Sequence, residues 1–268
     1  MRRVRPAAVA GAFYPDDPAE LAAMIDSMLA GAASAVPTGG EPGPPVALVV
    51  PHAGYVYSGP VAATAYTRLV PWRATIERVV VIGPPHRVPV HGLAMSGADL
   101  FATPLGDIAL DTATRDSMLQ WPGVYVDDRA HAAEHSIEVH LPFLQRVLGT
   151  GWLLVPALAG GIDPATLADA LEPVWGAPNT VVVISTDLSH YHDIITARRM
   201  DRATADAIVG ARWEDLDSDD ACGAAGVRGA LEMVRRKHEQ VDLLDLRNSG
   251  DTAGPADRVV GYGSFAIR

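Results

Sequence analysis

Three apolar runs in this chain each lead into a histidine. Val46 to Val50 runs into Pro51-His52-Ala53-Gly54-Tyr55, Val79 to Ile82 into Gly83-Pro84-Pro85-His86, and Thr180 to Ile184 into Ser185-Thr186-Asp187-Leu188-Ser189-His190. Neutral imidazoles suit a first-row transition metal, so loops of this kind could build a metal pocket if they converge. A fourth segment, Glu134-His135-Ser136-Ile137-Glu138, places two carboxylates four residues apart. On a helix with Ile137, Leu141 and Leu144 as its buried stripe, Glu134 and Glu138 would share one face and could orient ligand histidines. The plainer reading of that pair is a solvated acidic face. Cys222 stands just before a helical pattern, where a thiol pKa can fall and yield the metal-binding thiolate, although a lone cysteine also serves as a small buried hydrophobe.

Other chemistry finds no support. The chain has no Gly-x-x-x-x-Gly-Lys, Gly-x-Gly-x-x-Gly or Gly-x-Ser-x-Gly motif, which removes nucleotide-dependent and α/β-hydrolase readings. Glu134 to Glu138 is not a His-Glu-x-x-His zinc-protease motif. Ser189, His190 and Asp187 hold the residue types of a serine triad, but neighbours on one loop cannot easily point at one another in the required order.

The elements that must position these residues alternate along the chain. Strand-length apolar runs occur at Val46 to Val50, Val79 to Ile82, Trp152 to Leu158, Thr180 to Ile184 and Val259 to Ile267. Several are hydrophobic throughout, as expected where helices cover both faces of a sheet. Helical patterns fall at about Pro18 to Ala33, Pro60 to Leu69, Thr112 to Gln120, Glu134 to Leu148, Pro164 to Val174, Ala197 to Val209 and Ala224 to Arg236. We expect a single α/β domain over residues 1–268, a three-layer sandwich with a mostly parallel or mixed central sheet and helices on both faces. In such sheets ligands bind beyond the carboxyl ends of the strands, where the histidines lie. Residues 33–45 are rich in Gly and Pro and predict a flexible loop.

Composition narrows the partners. With 268 residues, 49% hydrophobic and 20% charged, the chain can fold around a sizeable core. A net charge of −11 gives no general attraction to nucleic acid or anionic lipid. The single cysteine cannot form an internal disulfide, no apolar run is long enough to cross a bilayer, and the expectation is a soluble cytoplasmic protein.

The segments Ala10-Gly11-Ala12-Phe13-Tyr14-Pro15, Pro51-His52-Ala53-Gly54-Tyr55 with Tyr57-Ser58-Gly59, Gly83-Pro84-Pro85-His86, Glu134 to Glu138 with Leu141-Pro142-Phe143, Asp187-Leu188-Ser189-His190-Tyr191, and Cys222-Gly223 together resemble the Memo family. Its bacterial and archaeal members are called AmmeMemoRadiSam system protein B. The ordered set spans nearly the whole chain. The resemblance implies a fold like that of the class III extradiol dioxygenases, and metal ligands at His52, His86 and Cys222. It also carries the family's Asp and His onto Asp187 and His190, and its acidic-histidine segment onto Glu134, His135 and Glu138. Pro85 and Thr186 differ from the residues common at those places, without removing a ligand. A cysteine standing where the dioxygenases have a carboxylate puts ring cleavage in doubt, because thiolate is softer and admits copper or zinc as well as iron.

The leading expectation is a non-haem Fe(II) redox protein or dioxygenase, with copper or zinc as alternatives, acting on a small, aromatic or otherwise chelating substrate. His190 would be the general base and Asp187 its orienting partner. Tyr55, Tyr57, Tyr191 and Trp213 would line the pocket. The competing expectations are a non-catalytic metal- or peptide-binding scaffold and a metal-dependent hydrolase. The resemblance also implies a functional link to AMMECR-like and radical-SAM proteins.

Overall fold

A computed structural model describes residues 2–33 and 43–268. The loop expected at 33–45 lies largely outside them, although Ala33 itself closes a helix. In chain order the strands are β1 (Val4–Arg5), β2 (Ala47–Val50), β3 (Arg78–Gly83), β4 (Gly92–Met95), β5 (Leu100–Thr103), β6 (Gly106–Ala109), β7 (Val124–Val126), β8 (Leu153–Gly160), β9 (Thr180–Ser185), β10 (His190–His192), β11 (Val241–Asn248) and β12 (Val259–Ile267). The helices are α1 (Pro18–Ala33), α2 (Tyr55–Tyr66), α3 (Thr112–Met118), α4 (Asp128–Ala132), α5 (Leu141–Leu148), α6 (Pro164–Leu171), α7 (Ile194–Val209), α8 (Ala224–Lys237) and α9 (Ser249–Thr252).

Nine strands form one mixed sheet, ordered β10-β12-β2-β9-β3-β8-β4-β7 with β11 also paired to β12. Its centre, β2-β9-β3-β8, is parallel, and the flanking β12 and β4 run antiparallel. Successive residues of a strand face opposite sides, and here both sides are apolar. Leu48, Val50, Val79, Val81, Val181 and Val183 pack on one face against α1, α2 and α5 through Leu21, Ile25, Tyr66 and Phe143. Ala47, Val49, Val80, Ile82, Val182 and Ile184 pack on the other against α6, α7 and α8 through Leu167, Ile208, Val227 and Leu231. This is the expected three-layer α/β arrangement. A separate three-stranded sheet, β1-β5-β6, carries the N-terminal segment.

The helix expected over Glu134 to Leu148 is shorter. Residues 133–137 lie outside any helix, Glu138–His140 is one 3-10 turn, and α5 begins only at Leu141, with Pro142 in its first turn. Glu134 and Glu138 therefore do not share a helix face. No helix among the described residues is long and apolar enough to cross a membrane.

Candidate metal centre

The strand order brings the three histidine-bearing loops together. β2, β9 and β3 are parallel neighbours, so their carboxyl ends open on one crevice at the heart of the sheet. His52 follows β2, His86 follows β3, and Asp187 and His190 follow β9. Cys222 reaches the same crevice from the turn before α8. One ligand atom from each of His52, His86 and Cys222 lies within 4.8 Å of the others, and a second such group joins His86, Glu134 and His135. His52 is buried, Cys222 partly buried and His86 exposed, which places His86 at the mouth.

Each donor is held from behind. The Ser185 hydroxyl donates to the Ser136 carbonyl at 2.7 Å, so toward His52 it can only accept. His52 Nδ1, 2.6 Å away, must therefore carry the proton, and its Nε2 is left as a lone pair 3.4 Å from Cys222 Sγ. His86 Nδ1 lies 2.9 Å from Glu134 Oε1, which leaves Nε2 as its ligating atom. Glu134 also accepts the backbone N–H groups of His86, His135 and Ser136, at 2.5, 2.9 and 2.9 Å. Burial works to raise the Glu134 pKa, but the hydrogen bonds from His135, His86 and Ser136 outweigh it and hold the carboxyl well below its usual range. The segment Glu134 to Ser136 thus braces both histidines, one through a carboxylate and one through two serines.

Two glycines make this bracing possible. A Cβ at Gly83 would meet Ser136 Oγ at 2.4 Å, and one at Gly223 would meet the Ser185 carbonyl oxygen at 2.3 Å. Any side chain there would push the serines off the histidine loops.

Cys222 does not have the lowered pKa that its place before a helix suggested. Burial, followed by the Asp187 charge, pushes the thiol up to about 12. Its backbone N–H donates to the Asp187 carbonyl at 3.2 Å, and the Asp187 N–H points at Sγ at 3.3 Å. The Asp187 carboxylate is spent on the His52 backbone N–H at 2.8 Å, and burial raises its pKa despite that bond. Asp187 therefore ties the His52 and Cys222 loops together, and His190 lies within its electrostatic influence. Burial, then the neighbouring rings of His135, His86 and His140, lowers the His52 pKa and keeps it neutral, the form that binds metal.

Other expected residues sort by contact. His135 stacks on His86 with ring centroids 4.5 Å apart and lies 5.4 Å from His52, well inside the cluster. Glu138 turns away from the histidines: it pairs with Arg5 and accepts from Tyr14 Oη at 2.5 Å and from the backbone N–H groups of Ala8 and Val9. Tyr55 is a core residue whose hydroxyl donates to the Val139 carbonyl at 2.7 Å. Tyr191 is exposed, adopts φ +64°, and has the Arg258 guanidinium 4.6 Å over its ring. Trp213 packs at the α8 face, its indole N–H donating to Glu232.

Sequence reasoning assigned no role to Ser185, Ser136 or His140. Ser185 is simply the last residue of β9, and side-chain direction there depends on tertiary packing. His140 is buried, bonds through Nδ1 to the Tyr66 hydroxyl at 2.8 Å, and has its ring 6.5 Å from that of His52. Burial, then His135, lowers its pKa to about 3.

The donor set fits a metal ion. Bonds of about 2.0–2.3 Å to nitrogen and sulfur separate neighbouring ligands in a tetrahedron by roughly 3.3–3.8 Å. The His52 to Cys222 contact already has that length.

Comparison with known proteins agrees with the residue pattern. The Memo-like protein family profile matches residues 5–266. A MEMO1 family protein of Methanopyrus kandleri is 34% identical over 98% of this chain and 99% of its own. Those of Aquifex aeolicus and Thermotoga maritima are 34% and 36% identical, each covering 97% of the relative and 97% and 96% of this chain. The chain belongs to the Memo-like protein family.

Proposed function

We propose that this protein is a metal-dependent redox protein, using Fe(II) or alternatively copper at His52, His86 and Cys222, that acts on a small chelating substrate such as a dihydroxylated aromatic. The observation that carries the reading is the convergence of two imidazoles and a thiol from three distant loops, each donor braced from behind. A bound ion would supply Lewis acidity and, for iron or copper, redox capacity. Ser185 and Glu134 present the two Nε2 lone pairs, so the histidines need no reorganisation. Asp187 holds the His52 and Cys222 loops in register, and its N–H stabilises negative charge on sulfur. His190 takes the proton from a substrate hydroxyl. A reducing cytoplasm, where a lone thiol stays available, suits this chemistry. The dioxygenase-like fold and a link to AMMECR-like and radical-SAM partners belong to the same proposal.

The exposed rings of Tyr191 and Tyr57 favour a second reading, a scaffold that holds a peptide without turnover. Anaerobic loading with Fe(II), followed by oxygen uptake against a panel of catechols, separates the two. We expect uptake by the wild type, a loss of about 10² to 10⁴ in rate with metal retained in His190→Ala, and loss of metal itself in Cys222→Ser. A loaded wild type that consumes no oxygen would give the scaffold reading precedence.

A further inference from the structure

A cavity that shares no residue with the metal centre lies between α7 and β11. It measures about 450 Å³ and is lined by Arg198, Arg199 and Arg202 of α7 and by Arg247 and Asn248 of β11. We propose that this cavity binds a compact phosphate-bearing anion, with Arg199 and Arg202 as the principal cationic contacts.

Four guanidiniums around one cavity are unexpected in a chain of net charge −11. The spacing 198, 199 and 202 gathers three of them within about 100° of the helix circumference, where like charges repel. Two are already neutralised: Arg198 pairs with Asp251 at 2.6 Å, and Arg247 pairs with Asp245. Arg199 and Arg202 have no carboxylate or hydrogen-bond partner among the described residues, and both are exposed. Asp201, the other acid in the cavity wall, is buried and directed inward, its Oδ1 accepting the Ser189 N–H at 3.0 Å. Burial raises its pKa against the hydrogen bonds from Ser189 that lower it. The cavity therefore keeps two uncompensated guanidiniums, whose planar forks match phosphate oxygens, and the Asn248 side chain is occupied capping α9. A volume of this size admits an anion as large as a diphosphate.

The site is separate from the metal centre but next to it in the chain, since α7 follows β10 directly and Asp201 holds the residue before His190.

The test is calorimetric titration of the full-length, chelator-treated protein with inorganic phosphate and with pyrophosphate, at about 50 mM and about 500 mM NaCl. We expect 1:1 binding, tighter for pyrophosphate by about tenfold, weakened by salt, and weakened at least about tenfold in Arg199→Gln/Arg202→Gln. That double variant should keep wild-type metal uptake, and His86→Ala should bind pyrophosphate normally. The proposal fails if neither anion binds saturably, if the double variant binds as well as wild type, or if His86→Ala abolishes binding and so puts the anion at the metal centre. It fails equally if the arginine substitutions instead dissociate a dimer seen by sedimentation, which would make the surface a contact between copies.

Discussion

Glu134 and Glu138 stand four residues apart in one segment and serve opposite ends of it. Glu134 faces the crevice, where it accepts from His86 Nδ1 and from the backbone N–H groups of His86, His135 and Ser136, beside the exposed His86. Glu138 faces the interior, where it closes an ion pair with Arg5 whose two side chains are 6% and 0% exposed. Arg5 extends that network to the carbonyls of His131 and Glu134, at 2.9 and 2.6 Å, and lies over the Phe101 ring. One carboxylate positions chemistry, and the other fastens the N-terminal segment to the loop that bears the first. The difference teaches that identical residue types at helical spacing acquire their roles from the partner that the fold brings, since a buried charge must be compensated and a ligand must be aimed.

The largest effect should come from breaking the interior partner. Glu138→Gln leaves the Arg5 guanidinium buried without its counter-charge, and we expect a loss of about 3 to 5 kcal/mol, measurable by urea unfolding, with a Tm lower by about 10 °C. A loss near zero would mean that the pair contributes nothing net to stability. The crevice partner should behave the other way. Glu134→Gln should lower metal affinity by about 10- to 100-fold in a chelator competition, and Ser185→Ala, which removes a neutral partner, by about tenfold, each with a smaller effect on unfolding than Glu138→Gln. Equal stability losses from Glu134→Gln and Glu138→Gln would erase the distinction.

The smallest effect sharpens the interior side through pH. Burial lowers the pKa of His131 to about 4, and its Nε2 is engaged with the Ala94 carbonyl at 2.9 Å. Below about pH 6.5 the unfolded chain takes up a proton that the folded chain refuses, so stability falls as pH falls and is steady above that value. Between pH 6.5 and 5.5 this amounts to about 1 kcal/mol. His131→Gln should flatten the slope by that amount in unfolding experiments at both pH values. An unchanged slope would show that His131 takes up its proton over the same pH range in the folded and the unfolded chain.

The layered fold was legible in sequence because burial on both faces leaves a direct trace: Val79 to Ile82 and Thr180 to Ile184 are apolar without interruption, and only a covered sheet tolerates that. Their histidine-bearing ends were legible for the same reason, since a polar residue directly after such a run must lie at a strand terminus. The short strands β4 to β7, the 3-10 turn at Glu138–His140 and the neutral state of the Cys222 thiol were not, because each depends on neighbours remote in the chain. Sequence alone determined which residue types could ligate a metal and that three of them follow strands. Only the tertiary structure decided that β2, β9 and β3 are adjacent, that Ser185 fixes the His52 proton, and that Glu138 turns inward to Arg5. Those outcomes rest on hydrogen-bond direction and the cost of an uncompensated buried charge, and both are set by contacts between segments remote in the chain, Ser185 at the end of β9 meeting His52 and Ser136 on two other segments.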